Sequence, residues 1–208
     1  MGNPIAFQLD FHKETFIALY ILIAVIVLVV YKIKRQHKYR LTFILLFALY
    51  LQFLIKFTIL PITILFEGGI GSMYDIDEPY TQLIPFQFLS EYQQGFLGLK
   101  QIIGNIGLFF PMALFVRTML EYRQNKNSIR KAIIVCISIS ILTEVLQLII
   151  NLITNYPNRI MDIDDVLLNT IGIVLGVLCF ELVKKCKGVY QRILSFFILT
   201  ENIKDINL

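Results

Sequence analysis

The chain has 208 residues, 57% of them hydrophobic, with a mean hydropathy of +0.71 and a formal charge of +4. That apolar share exceeds the roughly 45–50% of soluble domains, which excludes an ordinary water-solvated globule. The basic excess sits in connectors and matches no nucleic-acid motif, so no nucleic-acid partner is expected, and Cys136, Cys179 and Cys186 show neither zinc spacing nor a disulfide framework.

The N-terminal stretch Met1 to Glu14 lacks the basic start of a secretory signal, and Gly2 is not followed by the Ser or Thr of a myristoylation signal. The first span is therefore expected to stay in the mature protein. Apolar runs of about 20 residues match a hydrocarbon layer roughly 30 Å thick. They predict spans near Phe16 to Tyr31, Leu41 to Phe66, Ile102 to Leu120, Ala132 to Ile153 and Val166 to Val183. Backbone polar groups in hydrocarbon must be paired within the segment, so these runs read as helices. The expected fold is an all-α integral membrane protein, a bundle of about five transmembrane helices. It forms a single domain over 1–208, with 41–183 as its core and 184–208 as a cytoplasmic tail.

The first connector carries Lys32, Lys34, Arg35, Lys38 and Arg40; the third carries Arg117, Arg123, Lys126, Arg130 and Lys131; the tail carries Lys184, Lys185, Lys187 and Arg192. By the positive-inside rule these face the cytoplasm, which puts the N-terminus outside and the C-terminus inside. The acids Asp75, Asp77, Glu78, Glu91, Asp162, Asp164 and Asp165 then fall on the outer side, where any chemistry is expected.

Several polar residues interrupt the spans. In the second, Gln52 and Lys56 lie one turn apart; Lys56 either snorkels to an interface or acts as a counter-ion to Glu144. In the third, Asn105 either bonds a neighbouring helix or joins the outer site, and Pro111 can bend the helix. In the fourth, Ser140, Glu144, Gln147 and Asn151 recur at steps of four, three and four along one stripe. A charge at mid-membrane costs several kcal/mol, roughly 2.5–3.5 on insertion scales, so Glu144 is expected to face the bundle interior or a wet cavity, either tying helices together or acting directly. Asp165, Asn169, Gly172 and Gly176 repeat the stripe in the fifth span, where the glycines permit close helix approach. Between these spans Arg159, Asp162, Asp164 and Asp165 can hold an anion or a cation, or form an internal ion pair at the start of the helix.

The order of these motifs resembles the VanZ-like membrane family, named for a teicoplanin-resistance protein of Gram-positive bacteria. The resemblance runs from Leu83, Ile84, Pro85 and Phe86 through Asn105, Phe109 and Pro111, then Glu144 and Gln147. It ends with Arg159, Asp162, Asp165, Asn169, Gly172 and Gly176. Two positions depart from the family pattern: Gln82 stands where Asn is common before Leu-Ile-Pro-Phe, and Ala113 where Gly is common after Pro111. The resemblance implies a multi-pass protein of the bacterial cell membrane, connected with the envelope, but supplies no reaction and no cofactor.

The candidate site consists of Glu144 and Asp165 as acid/base groups, with Asn105, Gln147, Arg159, Asp162 and Asn169 as binding residues. Its expected partners are membrane lipid and a lipid-linked or cell-wall component. As an enzyme, it would use a carboxylate for proton transfer and Arg159 to hold a phosphate or pyrophosphate, with a divalent metal between Asp162 and Asp165 as an addition. His12 and His37 fall on opposite sides of the membrane in this topology, so no nucleophile–histidine pair is expected. The alternative is a transporter or a non-catalytic structural or interaction protein; no inverted repeat of the secondary-transporter kind is evident.

Overall fold

A computed structural model of the protein describes residues 6–34, 38–65, 79–87, 96–123 and 125–191. Five helices dominate: α1 (Lys13–Lys34), α2 (Lys38–Thr58), α3 (Phe96–Tyr122), α4 (Ser128–Thr154) and α5 (Ile163–Lys185). Each contains a stretch long and apolar enough to cross a membrane, with mean hydropathies of 1.6 to 2.5. The fold is an all-α membrane bundle. The acids Asp75, Asp77, Glu78 and Glu91, the basic residue Arg35, His37 and the tail from Arg192 onward lie outside the described residues.

The second span ends earlier than its hydropathy suggests. The apolar run continues to Phe66, but α2 stops at Thr58 and Pro61 follows, a residue with no amide to extend a helix. Beyond it Ile62–Leu65 (β2) pairs antiparallel with Ala6–Leu9 (β1), with Leu9 opposite Ile62 and Ala6 opposite Leu65. Asn158, from the α4–α5 connector, braces this ribbon by accepting the Thr63 amide at 2.5 Å.

The α1–α2 pair is tied by the polar residues of α2. Gln52 donates to the Phe16 carbonyl at 2.7 Å. Lys56 donates to the Phe11 carbonyl and lies 5.7 Å from the Phe16 ring centre. It therefore reaches toward the start of α1, as a snorkelling lysine would, and the counter-ion arrangement with Glu144 does not form. Apart from this contact α1 is sparsely packed, with Ile21, Leu22, Val25, Ile26 and Val29 exposed, as suits a lipid-facing helix.

The centre of the bundle is the parallel pair α3 and α5, against which α4 runs antiparallel. A Cβ on Gly172 would collide with the Ile106 carbonyl. One on Gly176 would lie 2.6 Å from the Phe110 carbonyl oxygen and 2.8 Å from the Ala113 Cβ. Both glycines are thus required for the helices to approach this closely. Ala113, which takes the place of a common glycine, is accommodated because Gly176 opposes it. Phe109, Met112, Ala132, Cys136, Ile173 and Val177 complete the core. Cys136 is buried, Cys179 partly so and Cys186 exposed, and all three are free thiols. Pro111 lies within α3 without ending it, and α4 ends at Asn155, whose left-handed backbone returns its amide to the Asn151 carbonyl.

Candidate functional site

The polar stripe of α4 is buried along its whole length. Its members tie α4 to α5, to the end of α2 and to the α4–α5 connector. Ser140 accepts from Asn169 of α5 at 3.0 Å. Glu144 accepts from the Asp162 amide at 3.0 Å. Gln147 donates to the Thr58 carbonyl at the end of α2 at 2.9 Å. Asn151 donates to the Arg159 carbonyl at 2.5 Å and accepts the Asn158 amide at 3.0 Å. An unpaired buried polar group costs about 1–3 kcal/mol, which is why a stripe of this kind settles against polar neighbours rather than lipid.

The connector before α5 is organised by its acids. Met161–Asp162 (β4) pairs in parallel with Thr81–Gln82 (β3). Asp162 caps α5 by accepting the Asp164 amide at 2.7 Å, the role a carboxylate fills at a helix start. Gln82 donates to Asp162 Oδ1 at 3.3 Å. The buried Asp164 accepts the Phe86 amide at 2.6 Å and so holds the Leu83-Ile84-Pro85-Phe86 loop beside the site.

Asp165, one turn before Asn169, accepts from Asn105 and, at 3.4 Å, from Gln101. The Arg159 Nε and Nη2 donate to the Leu60 carbonyl at 3.3 and 2.7 Å, leaving Nη1 with no hydrogen-bond partner among the described residues. Burial lowers the Arg159 pKa from its ordinary value, and the nearby carboxylates of Asp165 and Glu144 oppose that shift. The cluster is graded in depth. Gln101 is exposed, Asn105, Arg159, Asp162 and Asp165 are half-buried, and Glu144 and Asn169 are 2% and 3% exposed.

Asn105, Glu144, Arg159, Asp162, Asp165 and Asn169 therefore lie together, whereas Gln147 turns toward the end of α2. Among the described residues three buried acceptors have no hydrogen-bond partner: Asn169 Oδ1 in this cluster, Gln147 Oε1 and, on the α1 side of α2, Gln52 Oε1. Gln101 and Asn158 belong to the network without having been expected from sequence. Gln101 precedes Asn105 by four positions, a same-face spacing that could have revealed it. Asn158 sits in a connector and carries no periodic signal. Among the described residues no group of three or more His, Cys, Asp or Glu could hold a metal ion.

A second charged cluster occupies the other end of the bundle. Arg117 is 2% exposed, pairs with Glu121 and Glu181 at 2.6 Å each, and stacks 4.7 Å from the Phe180 ring centre. Lys184 also pairs with Glu121, to which Tyr190 donates at 3.3 Å. Burial first, then the charge of Glu121, pushes the Tyr190 pKa up to about 12. An open cleft of about 840 Å³ adjoins these residues and is also lined by Ser128 and Arg130. Arg117, counted above among the connector cations that set topology, is in fact an internal residue of α3 neutralised by its partners.

A multi-pass helical bundle with a buried carboxylate and amide cluster at one end, and neutralised ion pairs at the other, defines a polytopic membrane protein. The chain matches the VanZ/LLP1 family over residues 47–184, more than half its length, and belongs to that family. No curated protein and no solved structure matches the chain. The matched stretch includes the whole polar cluster and leaves α1 outside it.

Proposed function

We propose that this protein acts in the bacterial cell envelope, binding or modifying a lipid-linked or cell-wall component at the outer face, with glycopeptide (teicoplanin) tolerance as a consequence. The observation that carries this reading is the convergence of Glu144, Asp162, Asp165, Arg159 and Asn169 between α3, α4 and α5, with the Asn169 Oδ1 acceptor left over among the described residues. Glu144, Asp165 and Asn169 Oδ1 suit hydroxyl or ammonium donors on a ligand. Arg159, through Nη1, suits a phosphate or carboxylate. A polar head carrying both kinds of group satisfies the set. If a reaction occurs, Glu144 or Asp165 is the acid/base group and Arg159 the anion-holding one.

The outer location rests on the connector cations. With Arg117 discounted, Arg123, Lys126, Arg130 and Lys131 still mark the α3–α4 connector as cytoplasmic. A cysteine introduced near Asp77 should then label from outside and one near Lys126 should not; the reverse pattern rejects this orientation.

The main test is deletion with complementation by wild type and by Glu144→Gln, reading lipid and cell-wall composition, teicoplanin susceptibility and membrane abundance together. A change reversed by wild type but not by an equally abundant Glu144→Gln supports the reading. No effect of the wild type itself rejects it. The ties from the α4 stripe to α2, α5 and the connector between α4 and α5 favour a second, purely structural role for that stripe, under which Glu144→Gln would act only through lower abundance. A transporter would instead show substrate-dependent flux in proteoliposomes.

A further inference from the structure

The loop beside the polar cluster is unusual for its exposure. Leu83, Ile84 and Phe86 are 61%, 71% and 61% exposed, yet the backbone that carries them is firmly held. Gln82 brackets the turn by accepting the Ile84 amide and donating to the Ile84 carbonyl at 2.9 Å. The preceding strand is paired with β4. Phe86 has φ of 69°, a conformation that bulky residues rarely adopt, and its amide is fixed by the buried carboxylate of Asp164. Three large apolar side chains are thus presented on a rigid mount rather than folded back over the core.

The mount stands where the spans end. Asp162 and Asp164 open α5, and the last turn of α4 carries the exposed Leu152 and Ile153. On the start of α3, Ile103 is exposed as well, and Ile160 is partly so just before β4. The loop thus adds exposed apolar side chains at the same end of the bundle as these exposed helix residues. Apolar and aromatic side chains at that level partition into the interfacial layer of a bilayer, whereas in water the same surface would be a costly exposed patch.

We propose that Leu83 to Phe86 is seated in the bilayer interface and holds the mouth of the Asp162 and Arg159 cluster at headgroup depth. The ligand is then a bilayer-resident amphiphile whose polar head enters from the headgroup layer, not a solute arriving from water. This conclusion rests on the functional reading above for the identity of the site, but the seating of the loop does not.

The sequence contains no tryptophan, so a single introduced Trp reports without background. Leu83→Trp and Ile84→Trp are made in the full chain and reconstituted, without added ligand, into vesicles of ordinary lipid or of lipid brominated high on the acyl chains. Lys126→Trp, on an exposed turn between α3 and α4, serves as the water-facing control. Emission at position 83 or 84 is expected to be blue-shifted and to be quenched in brominated vesicles relative to Lys126→Trp, as an interfacial Trp would be. Both loop probes as red and as unquenched as Lys126→Trp would overturn the proposal. Both sites are exposed, so neither variant has to repack the core to fold. Quenching in a protein whose deletion leaves the envelope unchanged would retain the anchor and reject the functional reading; an unquenched loop in a protein with a clear envelope effect would do the opposite.

Discussion

The two ends of the bundle solve the problem of buried charge in opposite ways. At the Arg117 end, two cations face two carboxylates, and each charge has a partner. At the Glu144 end, Arg159 is accompanied by Asp162, Asp164 and Asp165 besides Glu144, and its guanidinium bonds a carbonyl rather than a carboxylate. Glu144 and Asp165 form no salt bridge among the described residues; amides and side-chain carboxamides hold them. The matched network ties α3 to α5. The other end is acceptor-rich, with the buried Asn169 Oδ1 left over among the described residues, and this contrast is what favours the Glu144 end in the function proposed above.

The comparison predicts its largest stability effect at the matched end. Arg117→Met should destabilise the folded bundle by about 3 kcal/mol, because it strands Glu181 and leaves Glu121 with Lys184 as its one cation among the described residues. Equilibrium unfolding of the detergent-solubilised protein measures this. Gly172→Val should follow, at about 1–3 kcal/mol, since its side chain must displace the Ile106 carbonyl. Glu144→Gln should cost under about 1 kcal/mol, since the carboxamide oxygen can still accept the Asp162 amide. It should nevertheless abolish the phenotype under test at normal abundance. A Glu144→Gln protein as unstable as Arg117→Met would erase the distinction between the ends. The smallest stability change is expected for Arg159→Lys, roughly 0.5 kcal/mol or less, because the new ammonium can still reach the Leu60 carbonyl. Its effect should appear in teicoplanin susceptibility, since an ammonium engaged by the Leu60 carbonyl does not reproduce the separate Nη1 donor proposed to hold an anion. Full tolerance in a well-expressed Arg159→Lys strain would remove that residue from the site.

Most of this architecture is legible in the sequence, because a bilayer imposes a length and a polarity that hydropathy reads directly. The stripe from Ser140 to Asn151 and the stripe from Asp165 to Gly176 were readable for the same reason: helical period alone puts their members on one face. The failures have a common cause. Ile62–Leu65 is as apolar as the helix before it, so hydropathy runs on through Pro61, and only pairing with Ala6–Leu9, over 50 residues away in the chain, makes it a strand. Arg117 resembles any other cation of a connector until Glu181 and Phe180 are brought to it from α5. Lys56 finds its partner in Phe11, just before α1, again by a contact that no local pattern encodes. Long-range pairing is what a periodicity cannot show.

The fit of Gly172 and Gly176 against Ile106, Phe110 and Ala113 has a consequence for anyone wishing to move this chemistry into another scaffold. Asn105 adjoins Ile106 on α3, and Asp165 lies two turns before Gly172 on α5. Sliding one helix along the other by a single turn, about 5.4 Å, would part Asn105 from Asp165 while leaving every polar residue in place. The apolar notch acts as a detent that sets the register of the parallel helices. A transplant of the polar side chains alone would carry the reagents without the ruler, and the portable unit is the pair of helices with its detent intact.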